Sequence, residues 1–170
     1  MLRAIEHAPA SSWPANAATD RLTLDFDTRH RRRLTLTTAH GEQVLLDLPK
    51  AVAMADGDGL RLEDGRWLLV AAAPEALTEV RAGDAAKLAR IAWHLGNRHL
   101  PAEIGEGVIR IRPDHVIEVM LERLGAEIIH VEAPFQPEGG AYGDDQVRAP
   151  SHGGHVHHGH GHSHRHDHDH

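Results

Sequence analysis

The stretch "ALTEVRAGDAAKLARIAWHLGNRHLPAEIGEGVIRIRPDHVIEVMLERLGAEIIHVEAPF", residues 76–135, decides the fold. Its opening "ALTEVRAG" reads as a strand that ends at Gly83. Asp84 is placed to cap a helix through "AAKLARIAWHLGNRH", because a short carboxylate there accepts from the free N–H groups of the first turn. Leu88, Ile91, Ala92 and Leu95 recur at helical spacing and make one apolar stripe. "AEIGEGVIRIR" reads as two short strands split at Gly105 and Gly107. "PDHVIEVMLERLG" reads as a second helix. Pro113 and Asp114 suit its start, Val116, Met120 and Leu124 are expected to face inward, and Gly125 closes it. "AEIIHVEAPF" is a last strand. The order is β-α-β-β-α-β, the ferredoxin-like split motif.

Working outward toward the N-terminus, the pattern changes period. From about Arg21 to Val70 apolar residues alternate: Leu22, Leu24 and Phe26, then Leu34 and Leu36, then Val44, Leu46 and Leu48. "GLRLEDGRWLLV" adds Leu60 and Leu62, a turn at Asp64-Gly65, then Trp67 and Leu69. Period-two alternation broken by Gly, Asp and Pro is the antiparallel strand signal, and Asp-Gly is hairpin chemistry. The expected class is therefore α+β. A small all-β domain over residues 1–73 precedes a ferredoxin-like domain over 74–143, and "AAAPEA" marks the change.

Residues 144–170 are of another kind. "SHGGHVHHGHGHSHRHDHDH" closes the chain, and ten of the 17 histidines lie in it. Gly, Ser, His and Asp bury too little apolar area to offset ordering entropy, so disorder is expected without a ligand. From His158 onward every second residue is histidine. In an extended chain those imidazoles point to one side and can converge on a divalent ion, with Asp167 and Asp169 adding carboxylates. The mixture with Gly, Ser, Arg, Val and Asp differs from the uninterrupted run of a purification tag. The candidate ligands are His152, His155, His157, His158, His160, His162, His164, His166, His168 and His170.

Composition narrows the chemistry further. The 170 residues carry a net charge of −7 and no cysteine. Disulfides, thiolate catalysis and thiolate metal cages are excluded, and imidazole suits nickel, copper, zinc and iron. No apolar run approaches a membrane span, and "MLRAIEHAPASSWPANAATDRL" lacks an apolar signal core, so a soluble cytoplasmic protein is expected. "RHRRR" at Arg29 to Arg33 is one short basic run in an acidic chain with few aromatics, so it reads as a solvated hairpin end and not as a nucleic-acid surface. The glycine of "DGDGLRLEDG" falls wrongly for a calcium loop. No GxxxxGK[ST], HExxH or GxSxG pattern is present, and no enzymatic apparatus is expected.

"GNRHLP" at 96–101, "DHVIEVMLERLG" at 114–125 and "PFQPEGGAYG" at 134–143 strongly resemble the urease accessory protein E family, a family of nickel metallochaperones. The strand-rich front half, including "LPKAVAMADGDGL" at 48–60, is similar to that family's first domain, and a histidine-rich tail is frequent in its members. The resemblance implies a homodimer joined through the ferredoxin-like domain. It also implies that His99 meets its symmetry mate and binds Ni(II) across the interface. The expected partners are the urease accessory GTPase and the apo-urease complex. Physics agrees with the placement: His99 follows Gly96-Asn97, a natural helix terminator, and a two-fold axis doubles every ligand. Two imidazoles under-coordinate nickel, so tail histidines or water would complete the site, and zinc or copper can bind the same ligands. His115 stands where some members carry an added metal-binding histidine; a further histidine two positions earlier in some members is Pro113 here. An ordinary helix-start residue is the alternative for His115. His94 and His130 read as structural or solvent-facing. The competing functions are a histidine-rich nickel, zinc or copper buffer, in which the tail is the active part, and a peptide-binding module in which metal is incidental.

Overall fold

The computed structural model describes residues 1–139. β1 (Leu2–Ala8), β2 (Ala18–Leu24), β3 (Arg33–Thr37), β4 (Gln43–Asp47), β5 (Gly59–Leu62) and β6 (Trp67–Ala72) form one sheet in the order β2-β6-β5-β1-β4-β3. Its core is Leu22, Val44, Leu46, Leu60, Leu68 and Val70 with their neighbours. Three features correct the sequence reading. β1 lies ahead of the expected strands, because its inward positions are the small Ala4 and Ala8 and its alternation carries no bulky signal. Two of its pairings are parallel, β1 with β4 and β2 with β6, so the domain is not an all-antiparallel one. The inward face of β6 is Leu68, Val70 and Ala72, not Trp67 and Leu69.

The last correction has a one-residue cause. The Leu62 N–H donates to the Arg66 carbonyl at 2.8 Å, so the loop is Glu63-Asp64-Gly65 and not Asp64-Gly65 alone. Gly65 takes φ 90°, as the third residue of such a loop requires. Arg61 then pairs with Trp67 and Leu60 with Leu68. A one-residue slip in register turns every following side chain to the other face. Trp67 lies on the outer face and stacks on Trp13, ring centres 5.3 Å apart.

The second half follows the predicted order. β7 (Pro74–Arg81), α1 (Ala85–Asn97), β8 (Ala102–Gly105), β9 (Val108–Ile111), α2 (His115–Arg123) and β10 (Glu127–Pro134) run β-α-β-β-α-β along the chain. Their sheet has the order β10-β7-β9-β8 with every neighbouring pair antiparallel. Val80, Ile91, Leu95, Ile109, Ile111 and Leu121 form its core. Asp84 caps α1 as expected, accepting from the Lys87 N–H at 2.7 Å. Asp114 caps α2, accepting from Val116 and Ile117. The inward stripe of α2 is Ile117, Met120, Leu121 and Leu124, and Val116 is 75% exposed. With Leu121 at the centre of the buried face, helical periodicity places 117 and 124 beside it and turns 116 outward.

The two halves meet around a short 3-10 turn, Thr28–His30. Here "RHRRR" departs from the solvated reading. Arg29 is 2% exposed. Its Nη1 donates to the Met54 carbonyl at 3.1 Å and its Nη2 to the Phe135 carbonyl, across the seam. Phe26 packs against Phe135 with ring centres 5.3 Å apart, and the Arg112 guanidinium lies 4.8 Å from the Phe26 ring centre while pairing with Asp27. Arg31, Arg32 and Arg33 are exposed as expected.

One carboxylate in the first sheet has a measurable consequence. Burial of Asp20 pushes its carboxyl up, but the Thr38 hydroxyl, the Arg21 and His40 N–H groups and the His40 imidazole outweigh it and hold the group at about 2, below 3.8. A folded-state value below the unfolded one contributes stability that is full above the unfolded value and disappears as pH falls through the folded one. Asp20→Asn is expected to cost about 1–2 kcal/mol at pH 7, with the difference from the parent chain falling below about pH 4 and vanishing by about pH 1. Urea unfolding of both chains across that range checks it.

Candidate metal site at the end of the first helix

α1 ends in a way that singles out His99. Arg98 is the C-cap, and the two residues after it close a paired hydrogen-bond motif. The His99 N–H donates to the Gly96 carbonyl at 3.0 Å, and the Leu100 N–H reaches back to the Leu95 carbonyl at 3.4 Å. Leu100 packs with Leu95 in the core, the apolar contact that accompanies this Schellman cap. The motif puts the residue after the C-cap in the left-handed region, where glycine is usual. Here His99 takes it, with φ 55°, the one non-glycine residue of positive φ among those described. Gly96 and Asn97, expected to terminate the helix, are its last two residues instead. The stop follows directly, at Arg98 and His99.

His99 is exposed, and its imidazole has no hydrogen-bond partner among the described residues. An exposed side chain at a strained backbone position marks His99 as a candidate functional residue. His99 also lines a cleft of about 400 Å³ at the seam, together with Phe26, Arg29 and His30. His30 holds its Nδ1 2.7 Å from the Phe26 carbonyl. Nothing in the sequence reading singled out Arg29 or His30. The available signal was "DFDT", where the Asp25 carboxylate accepts from the Thr28 N–H at 2.8 Å and turns the chain inward instead of letting the strand run on.

The other candidates are scattered. His94 is half-buried on α1 with its ring edge-on to Trp93, whose indole is 65% exposed. His115 is the exposed first residue of α2. His130 is exposed on β10 and pairs with Glu118 at 3.0 Å, so it is not free of partners as a purely solvent-facing residue would be. The Glu118 carboxyl is held below its ordinary range by the Thr78 hydroxyl first, against its burial, and by His130 and His115. Among the described residues no three histidine, aspartate or glutamate side chains already converge as a metal cage. The ten tail histidines, His152 to His170, and the end of the expected second domain lie outside the described residues.

Comparison with known proteins then decides the family. The model of the UreE urease accessory protein N-terminal domain matches residues 1–73, and that of the C-terminal domain matches 75–170. The chain belongs to the UreE urease accessory protein family. Among similar proteins, the urease accessory protein UreE of Bradyrhizobium sp. (strain ORS 278) is 54% identical over 152 residues, 89% of this chain and 70% of that protein. UreE of Chelativorans sp. (strain BNC1) is 55% identical over 141 residues, 83% of this chain and 86% of that one. UreE of Rhizobium rhizogenes (strain K84 / ATCC BAA-868) is 48% identical over 157 residues, 92% of this chain and 89% of that one. The family name fixes an accessory role in urease maturation. The UreE domain models meet at the change from the six-stranded to the four-stranded sheet. No helix among the described residues is long and apolar enough to cross a membrane.

Proposed function

We propose that this UreE chain is a nickel metallochaperone that carries Ni(II) in the cytoplasm and hands it to the accessory GTPase and apo-urease as the urease metallocentre is built. His99 carries the reading: an exposed imidazole, without a protein partner among the described residues, on a rigid helix cap whose backbone geometry favours another residue. Chain organisation follows: an all-β domain over 1–73, a ferredoxin-like unit over 74–143 that dimerises, and a metal-collecting tail over 144–170. Trp93, exposed on α1 ahead of His99, supplies an apolar anchor for an isologous contact. A two-fold axis near the cap would bring one imidazole from each protomer to a shared ion. Water or tail imidazoles fill the remaining positions, which keeps the cargo exchangeable in a way a thiolate cage would not. Zinc and copper compete for the same ligands, because affinity follows the divalent series.

Delivery is tested directly. Nickel-loaded chain is mixed with apo-urease, the accessory GTPase and GTP in the presence of a chelator that removes free nickel. Urease activation is expected from the parent chain and about one tenth of it or less from a His99 variant with an intact tail. Equal activation by both chains would instead favour the buffer reading, with the tail as the working part. Affinity is expected to fall with decreasing pH, since each imidazole must shed its proton to bind.

A further inference from the structure

The seam cleft is lined by two histidines from different halves of the chain. His99 comes from the cap of α1, and His30 from the 3-10 turn of the first domain, and both line the same space of about 400 Å³. Three observations make His30 more than a neighbour. Its Nδ1 lies 2.7 Å from the Phe26 carbonyl, and a carbonyl only accepts, so the proton sits on Nδ1 and the lone pair of the neutral ring is on Nε2. The ring is braced by Phe26, ring centres 4.3 Å apart. The Nδ1 contact to Phe26 is the one side-chain hydrogen bond of His30 among the described residues. A histidine whose far nitrogen donates to a backbone carbonyl is oriented and made more basic, the usual arrangement of a metal ligand.

Charge is the obvious objection, because the Arg29 guanidinium lines the same cleft. Glu75, Asp56, Asp25 and Asp58 all act on it as compensating carboxylates. The cleft also carries Glu138. One buried cation surrounded by several carboxylates leaves room for a second cation near the rim.

We infer that His30 is a second imidazole ligand, from the same protomer, for the divalent transition-metal ion carried at His99. The inference rests on the nickel-carrier reading of His99 and extends its ligand set to the first domain. The ligands close on the ion, since no three are already converged among the described residues. Binding brings the two ring nitrogens, each about 2 Å from one ion, to about 3 to 4 Å from each other. An ion held this way ties the first domain to the cap of α1, and its release requires the two to part.

The test uses the full chain, Ni(II) and residue-resolved modification of histidines by diethyl pyrocarbonate, with peptides for His30, His99 and the tail read separately by mass spectrometry. His30 and His99 are expected to become protected in parallel at one nickel concentration. In His99→Gly the protection of His30 is expected to vanish, and in His30→Gln the nickel needed to protect His99 is expected to rise about 10-fold or more. Protection of His99 while His30 reacts at its metal-free rate would overturn the inference and leave the carrier reading standing. Protection of the tail alone would overturn both. Protection of His30 that survives unchanged in His99→Gly would show an independent site and also overturn the pairing. Because the first arm uses the unmutated chain, it is decisive even where a variant folds poorly.

Discussion

His99→Gly is expected to make the metal-free chain more stable while costing it its tight nickel. The stabilisation follows from the helix cap. His99 occupies φ 55° at the position after the C-cap, where a β-carbon costs roughly 1–2 kcal/mol and glycine costs nothing. Glycine gives some of that back by loosening the unfolded chain, so the net gain is about 1 kcal/mol. His99 offsets none of it through contacts, since its side chain is exposed and without a hydrogen-bond partner among the described residues. Nickel binding moves the other way. Loss of a first ligand weakens the site by more than the 10–100-fold that loss of a supporting residue costs, so about 100-fold or more is expected. Urea unfolding in chelator measures the first effect. Competition against a metal-binding dye resolves the tight site from the weaker tail and measures the second. A variant that is destabilised and still binds tightly would mean that His99 is a cap residue and nothing more.

Arg29→Met is expected to lower stability by about 3 kcal/mol. The guanidinium of Arg29, itself only 2% exposed, joins the Met54 and Phe135 carbonyls across the seam. Methionine fills similar volume but leaves both acceptors unpaired, and a buried carbonyl that loses a charged donor costs about 1.5–3 kcal/mol. The carboxylates of Glu75, Asp56, Asp25 and Asp58 also lose the cation they compensate. Part of the loss is recovered, because the desolvation of a buried guanidinium is no longer required. Arg29→Lys is expected to rescue little, since one ammonium cannot reach two carbonyls in the fork geometry that the guanidinium spans. Thermal unfolding of the three chains checks both statements, and equal midpoints for parent and methionine variants would refute them.

The second half of the molecule was legible in the sequence because its signals are local. Asp84 and Asp114 cap their helices from adjacent positions, and Gly105 and Gly107 split β8 from β9 where they stand. The first half was less legible because its signals are not local. β1 carries alanines where a bulky alternation would have announced it, and its parallel partner β4 is some 40 residues away. Asp64-Gly65 looked like a two-residue turn, and only the Leu62–Arg66 hydrogen bond reveals the third residue and the reversed face of Trp67. At the candidate site, the Gly-Asn-Arg-His motif is what points to His99 as a proposed ligand. The strain at His99 was not legible there, since Gly96 and Asn97 looked like the better terminators. Arg29 and His30 were hidden inside a basic run whose charge suggested solvent. A buried arginine declares itself only through carbonyls contributed by residues 25 and 106 positions further along.

That last separation sets an order of events during synthesis. The turn that holds Arg29 belongs to the first domain, but one of its two acceptors is on Phe135, near the end of the described chain. While the ribosome is still making the second domain, the guanidinium has only half of its anchorage and Phe26 lacks the ring it packs against. The seam side of the first domain is therefore completed only once Phe135, the residue after β10, has been made. Heating should run this in reverse: once β10 lets go, the first sheet loses its seal as well, and the two halves melt in a single calorimetric peak rather than in two.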